Sequence, residues 1–360
     1  MSQDIYERLR ELIDTHALGC PPAAEIIDIL KVLFSEDEAR VALGLGFRPF
    51  GVNEIATRAG IEPDETGRHL ESLANKGVVY AREKNGVWGY AMLNVINLFE
   101  NPYRKGLQDE TLKKLTPLWK KYRAVLAPEL GSETTSIARV IPIQKRIASG
   151  AEVLSYEKID EMIEEAQVMG IARCACREFE QNCDAPREAC MVFDATCNYL
   201  VERGFARILT KNEMKQKLKE CDDYGLVRQV NNSRDRLEFV CHCCPCCCRL
   251  LHVLNELDNP RIMTRSAFLP VTDMQKCEGC GTCANKRCPT GARVMVDDRP
   301  VLSIEKCIGC GLCSTGCPND AIRMERSVEV PQPPANYMEM GMRLLQDRGK
   351  LEDFIKINTL

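Results

Sequence analysis

The sequence contains no G-x-G-x-x-G turn, no G-x4-G-K-[ST] loop and no C-x3-C-x2-C triad. These absences remove the recognisable cradles for dinucleotides, nucleoside triphosphates and radical-forming clusters. It also lacks an apolar run near the ~18 residues that a membrane helix requires; the longest stretches, such as Val41 to Phe47, are interrupted by glycine. Charge of one sign is missing as well. The 48 Lys+Arg against 52 Asp+Glu leave −4, which predicts neither a strongly basic nucleic-acid binder nor an acidic tail. The opening residues Met1-Ser-Gln-Asp-Ile-Tyr-Glu-Arg-Leu-Arg are charged and amphipathic, unlike a secretory signal, so a cytoplasmic location is expected.

What is abundant is cysteine: 21 in 360 residues, all but Cys20 after residue 173. Disulfides need an oxidising compartment, which nothing in the sequence points to, so the thiols are read as metal ligands. The 45% hydrophobic content is enough for real cores, and the length suits two or three domains. Cys20, near Pro21, and Cys197 and Cys221, inside predicted helices, are read as small core residues.

The N-terminal part has helical apolar spacing over residues 4–15 and 22–34, and a third helix is expected from Glu36 to Leu45. Val52 to Gly60 and Ile61 to Gly77 read as helix, tight turn and second helix, with Pro63 near the second start and Gly77 as its C-cap. Strands at Val78–Arg82 and Val87–Met92 flank the turn Glu83-Lys-Asn-Gly86. Residues 1–105 resemble the winged-helix domains of bacterial regulators on this pattern. The resemblance implies DNA binding by the second helix. Glu62, Asp64, Glu65 and Glu71 against Arg68 and Lys76 favour protein docking instead, because phosphate contact wants excess positive charge. A polar Lys-rich helix, Gln108 to Val125, lies within a linker over 106–136.

Residues 137–258 alternate between strand and helix signals. Strands are expected at Arg139–Ile143, Ile171–Arg173, Ala206–Leu209, Leu226–Val230 and Arg236–Cys241. Helices are expected at Ser155–Val168, at Arg187–Arg203, and from the capping box Thr210-Lys-Asn-Glu213 to Gly225. Cys174, Cys176, Cys183 and Cys190 precede the last of these helices; Cys241, Cys243, Cys244, Cys246, Cys247 and Cys248 follow it. Two distant segments must meet to complete such a shell. Residues two apart on an extended chain share a face, which pairs Cys174 with Cys176, Cys241 with Cys243 and Cys244 with Cys246, with Pro245 turning the chain between two centres. Ten thiolates would fill two four-cysteine cubanes with two left over, and zinc is the alternative. The C-x-C-R segment, capping-box helix and C-x-C-C-x-C-C-C run look like iron–sulfur proteins of anaerobic microbes, a resemblance that implies further clusters but no particular reaction. Arg177, beside the C-x-C pair, is read as a surface base, with offset of cluster charge as the alternative, and His242 as a hydrogen-bond donor rather than a ligand.

Residues 266–326 contain a repeat displaced by 30 positions: Cys277, Cys280 and Cys283 recur as Cys307, Cys310 and Cys313. Cys288-Pro289 and Cys317-Pro318 close the two blocks. Three thiolates at this spacing wrap one cubane, while the fourth reaches across to its twin. The expected sets are therefore Cys277, Cys280, Cys283 and Cys317 for the first [4Fe-4S] cluster, and Cys307, Cys310, Cys313 and Cys288 for the second. This stretch resembles the bacterial two-cluster [4Fe-4S] ferredoxins. Block one departs from that pattern by one extra residue in Ala284-Asn-Lys-Arg287, which should bulge its loop. Seven acids balance seven bases over residues 266–325, whereas ferredoxins that dock freely by charge are acidic; a neutral one reads as fixed to its neighbours. A Pro-rich linker and a helix, Tyr337 to Ile355, fill residues 327–360 and are expected to pack back on the chain or onto a partner.

The whole reads as a multidomain α+β protein: an N-terminal winged helix, a central cysteine-rich α/β module and a C-terminal dicluster ferredoxin-like domain. The expected function is relay of low-potential electrons through several [4Fe-4S] clusters, two in the ferredoxin domain and one or two centrally. Its expected partners are redox proteins or subunits of an anaerobic oxidoreductase complex. A redox-sensing DNA-binding regulator and a reductase with an open-site cluster are the alternatives.

Overall fold

The computed structural model describes residues 4–106, 109–143, 147, 153–154, 157–257, 259–326 and 329–359. The chain is a mixed α/β protein of two compact units. Unit one comprises Met1–Thr135, Asn198–Ala206 and Gly341–Leu360; unit two comprises Ser136–Cys197 and Arg207–Met340.

Unit one opens with α1 (Ile5–Asp14), α2 (Ala24–Leu33), α3 (Glu36–Ala42), α4 (Val52–Ala59) and α5 (Pro63–Lys76). The hairpin β1 (Val79–Lys84) and β2 (Val87–Met92), then α6 (Val95–Arg104) and α7 (Glu110–Leu126), complete its continuous part. Local chemistry accounts for the boundaries. Ser35 and Glu38 form a reciprocal capping box on α3, Pro63 occupies the first turn of α5, and left-handed Gly60 and Gly77 end α4 and α5. Asn85 and Gly86 both take positive φ in the two-residue hairpin turn, and Phe50 bridges to Tyr90 beside it. The core is aliphatic around Leu9, Ile13, Ile26 and Leu30, and aromatic around Phe99, Trp119 and Tyr122. Cys20 lies fully buried against the Tyr122 hydroxyl.

Unit two holds a seven-stranded sheet. The chain continues with β3 (Ala138–Val140), α8 (Ile159–Glu165), β4 (Met169–Arg173), α9 (Ala175–Glu180), β5 (Glu188–Phe193), α10 (Asp194–Glu202, of which Asn198 onward belongs to unit one) and β6 (Ala206–Ile208, its first residue in unit one). Next come α11 (Lys211–Tyr224), β7 (Val227–Asn231), β8 (Phe239–Cys243), α12 (Arg249–Glu256) and β9 (Met263–Thr264). The strand order is β6-β4-β5-β8-β7-β3-β9, antiparallel from β4 through β3 and parallel between β3 and β9. Met169, Ile171, Met191, Phe193 and Val240 face one core with Ile159, Ile163, Met214 and Leu218. Downstream come β10 (Phe268–Thr272), α13 (Thr282–Asn285), β11 (Arg293–Val296), β12 (Arg299–Leu302), α14 (Leu312–Thr315) and β13 (Ile322–Arg326). Here β10 pairs with β13, and β11 with β12. The terminal helices are α15 (Tyr337–Asp347) and α16 (Leu351–Thr359).

Three expectations are corrected. The helix expected at Arg187–Arg203 is strand β5 followed by α10: pairing with β4 and β8 on both sides claims Glu188–Phe193, and Asp194 at φ +47 turns the chain into the helix. The C-terminal helix is two, broken where Gly349 takes φ +65. The helix expected at Ser155–Val168 spans Ile159–Glu165; Ser155 and Tyr156 lie outside the described residues, as does Gln108 of the Lys-rich helix.

Helix α16 packs back within unit one. Asn358 accepts from the Phe47 and Arg48 N–H groups, and Phe354 stacks on Phe47 at 5.6 Å. His16 sits against Phe47, with Nδ1 accepting from the Leu18 N–H. Burial, aided by the nearby Arg348 charge, holds its imidazole down to about 4, so the folded state keeps it neutral while the unfolded chain protonates it near 6.5. Its contribution is therefore present above about pH 6.5 and is lost as pH falls toward 4, on the order of 1–2 kcal/mol. Denaturant titrations of wild type and His16→Gln at pH 7 and pH 4.5 should show a larger fall in wild type; equal falls would refute it.

Candidate metal centres

Antiparallel pairing collects the central thiols. The C-terminal end of β4, the N-terminal end of β5 and the C-terminal end of β8 lie side by side, with Ala172 opposite Cys190 and Cys190 opposite Cys241. Since Met191 and Val240 face the apolar core, the alternation puts Cys190, Cys241 and Cys243 on the other face. The register shift at Ala172/Arg173 comes just before Cys174, whose N–H donates to the Arg187 carbonyl. Cys174 caps α9, so Cys174 and Cys176 meet on a helical turn, not on an extended strand.

The ten thiols fall into two sets. Cys183, Cys244, Cys246 and Cys247 form one, with their sulfurs within 4.8 Å of one another. The other surrounds the strand ends. The Cys176 thiol hydrogen-bonds Cys174, Cys243 bonds Cys241 and Cys248, the Arg249 N–H points at Cys176, and Gln229 Nε2 lies 3.9 Å from the Cys248 sulfur. Cys190 joins by register. The bond from Cys176, against the effect of burial and with Arg177 alongside, brings the Cys174 thiol down to about 7. Its donor Cys176 is pushed well up, as is Cys243.

Arg177 is not a surface base. It is fully buried, donating to the Pro186 and His242 carbonyls at 3.0 and 2.6 Å beside Cys174, Cys243 and Cys244. Its place three residues after Cys174, in the first turn of α9, is the signal that carried this role, legible only once the helix is known. His242 points away from the thiols on the core side of β8, with Nδ1 3.2 Å from the Ala189 carbonyl oxygen, and burial drives its imidazole down to about 3. Cys197 and Cys221 are fully buried in α10 and α11.

Over residues 268–326 the sequence repeat is also a structural one. Gly279 and Gly309 take φ +69, and Gly281 and Gly311 open α13 and α14 at φ +71 and +81. A Cβ on Gly279 would meet the Asp298 carbonyl oxygen at 2.5 Å, and one on Gly309 the Phe268 carbonyl oxygen at 2.5 Å, so both positions require glycine for space and for φ. These loops turn backbone N–H groups toward sulfur: Thr282 N–H to Cys280, Gly309 N–H to Cys307, Leu312 N–H to Cys310, and Ala321 N–H to Cys317 at 3.3 Å. One cavity is lined by Cys277, Cys280, Cys283 and Cys317. A second is lined by Cys288, Cys307, Cys310 and Cys313. Burial raises Cys310 and Cys313, the latter to about 12.

The extra residue of block one makes no isolated bulge. Lys286 and Arg287 both donate to the Thr282 carbonyl, and this turn sends the Arg287 guanidinium to the Leu312 carbonyl, the Thr315 hydroxyl and the Asp222 and Asp223 carbonyls at the end of α11. Arg293 is buried against the second cavity with Nε and Nη1 lacking a hydrogen-bond partner. Its Nη2 donates to the Pro270 carbonyl and the Thr272 hydroxyl, and a buried cation with two further N–H groups beside Cys307 and Cys313 fits an anionic iron–sulfur group.

Residues 300–323 match the 4Fe-4S binding domain family. The match contains Cys307, Cys310, Cys313 and Cys317. No curated protein and no solved structure matches the chain. Among the described residues no helix is long and apolar enough to cross a membrane.

Arg293→Gln removes a buried positive charge beside the 4Fe-4S binding segment. It should lower one reduction potential by about 30–60 mV, equivalent to ~0.7–1.4 kcal/mol for a one-electron couple, with iron content unchanged. An unchanged potential in a redox titration would place the charge elsewhere.

Proposed function

We propose that this chain is an iron–sulfur electron-transfer protein that relays low-potential electrons through several [4Fe-4S] clusters, as a subunit or docking partner of an anaerobic oxidoreductase complex. The observation that carries the reading is the partition of the eight thiols of residues 277–317 between two cavities, each taking three cysteines from one block and the closing cysteine of the other. That crossed arrangement is the one two adjacent cubanes require. In this reading Cys277, Cys280, Cys283 and Cys317 hold one cluster, and Cys307, Cys310, Cys313 and Cys288 the other. The set Cys174, Cys176, Cys190, Cys241, Cys243 and Cys248 supplies the ligands of a third. Each cluster, when bound, accepts and releases one electron.

The protein's own groups do the rest. Backbone N–H groups on sulfur and the buried cations Arg177 and Arg293 favour the reduced, more negative state, and burial of Cys307 and Cys310 excludes water. Cys280 is exposed, which makes the first ferredoxin centre the natural point of exchange with a donor. Arg287 holds the ferredoxin segment to the end of α11, in keeping with a domain that does not dissociate.

Residues 1–105 are proposed as a winged-helix-like docking domain. Helix, turn, helix and hairpin support that reading, with Phe50 bridging to the hairpin. On α5, the helix that would read DNA in a winged helix, Glu71 accepts from Arg203 and Tyr90, and Asn75 also accepts from Arg203. Asp64, Glu65 and Glu71 outnumber Arg68 and Lys76 on this helix, where phosphate contact needs an excess of positive charge.

Protein purified without oxygen should contain about 12 iron and 12 sulfide, and reduction should bleach several centres. About 8 of each would confine clusters to the ferredoxin segment, and no reducible centre would end the relay reading. Cys317→Ser should deplete the same electron-spin signal as Cys277→Ser; depletion of the signal lost in Cys307→Ser would refute the crossed assignment. No salt-dependent duplex binding is expected, and its presence would favour the regulator instead.

A further inference from the structure

Spacing sets Cys183, Cys244, Cys246 and Cys247 apart from every other thiol. Cys183 Sγ lies 3.7 Å from both Cys244 Sγ and Cys247 Sγ, and Cys247 Sγ lies 3.8 Å from Cys246 Sγ. Four sulfurs about 2.3 Å from one ion at tetrahedral corners are about 3.8 Å apart. A cubane puts four irons between its thiolates and spreads them to about 6 Å. Among the described residues no other group of Cys, His, Asp or Glu is gathered so closely, and the ferredoxin cysteines, all described, are not. One protein therefore carries two classes of thiol site, and this one has the dimensions of a single ion.

The surroundings agree. The Ala185 N–H points at the Cys183 sulfur and the Asn182 N–H at that of Cys247, while Asn182 Nδ2 donates to the Cys246 carbonyl at 3.1 Å. On the other side the buried Arg177 guanidinium hydrogen-bonds the Cys244 sulfur, and its Nε has no partner. A divalent ion with four thiolates carries a net double negative charge, which gives that buried cation its counter-charge; four neutral thiols would not. Four protein sulfurs complete the tetrahedron and leave no position for substrate.

We propose that Cys183, Cys244, Cys246 and Cys247 bind one tetrahedral metal ion, zinc, which pins the loop at residues 182–185 to the turn at 244–248 and moves no electrons. This deepens the iron–sulfur reading by taking four of the ten central thiols out of the relay, and it is tested separately from it. The full-length chain is purified anaerobically as wild type, Cys246→Ser and Cys183→Ser, and zinc, iron and sulfide are counted in each. Wild type should hold about one zinc, and both variants should lose it with iron and sulfide unchanged. Loss of about four iron and four sulfide would make the site a cubane and overturn the proposal. Loss of one iron without sulfide would overturn the choice of zinc, and no loss of metal would overturn the site. Should either variant fail to fold, cobalt exchange into wild type supplies the readout: the intense sulfur-to-cobalt absorption of a tetrathiolate ion is expected, and its absence refutes the site. A protein without iron or sulfide would defeat the relay reading and leave the zinc count standing.

Discussion

Sulfur needs cations here. Unit two brings ten thiols to one end of an antiparallel sheet, and next to them it buries a whole arginine, Arg177. Neutral thiols would leave that guanidinium without a counter-charge in a dry interior, and free thiolates in such numbers would repel one another. The proposed metal ions resolve both problems: they would hold the thiolates at fixed spacing, and the residual negative charge of the complexes would stabilise the arginine. In the proposed reading, metal–thiolate bonds add to the β5–β8 pairing in tying residues 174–190 to residues 241–248. The Cys190–Cys241 register and the capping of α9 by Cys174 prepare the geometry for them.

The same logic orders residues 268–326 differently. Their eight thiols are spread more widely and sit in loops whose glycines turn N–H groups inward. Arg293 supplies the buried positive charge there, as Arg177 does in the central module. Arg287, at the end of block one's longer loop, donates to the Leu312, Asp222 and Asp223 carbonyls and the Thr315 hydroxyl, and so joins this segment to α11.

Much of this was legible in the sequence because spacing along the chain dictates it. The repeat at 30 residues located both cavities, and the Asn-Gly turn, the Thr210/Glu213 capping box and the glycine C-caps marked element ends that depend on nearest neighbours alone. Reading failed where tertiary pairing decides. Glu188–Phe193 has no strong intrinsic preference and became a strand because β4 and β8 enclose it. Arg177 looked like a surface base because its burial depends on a carbonyl 65 residues away. The pairs Cys241/Cys243 and Cys244/Cys246 were legible from spacing, but not which distant thiols complete each set: Cys183 joins Cys244, Cys246 and Cys247 only through the fold.

The central claim is that bound metal holds the cysteine-rich end of unit two together. Anaerobic thermal unfolding with simultaneous readout of metal release and circular dichroism tests it directly. The account predicts that metal leaves in the same transition in which the strands of this sheet are lost, and that stripping with a chelator abolishes that transition. A stripped protein that keeps the sheet and unfolds at an unchanged temperature would contradict it.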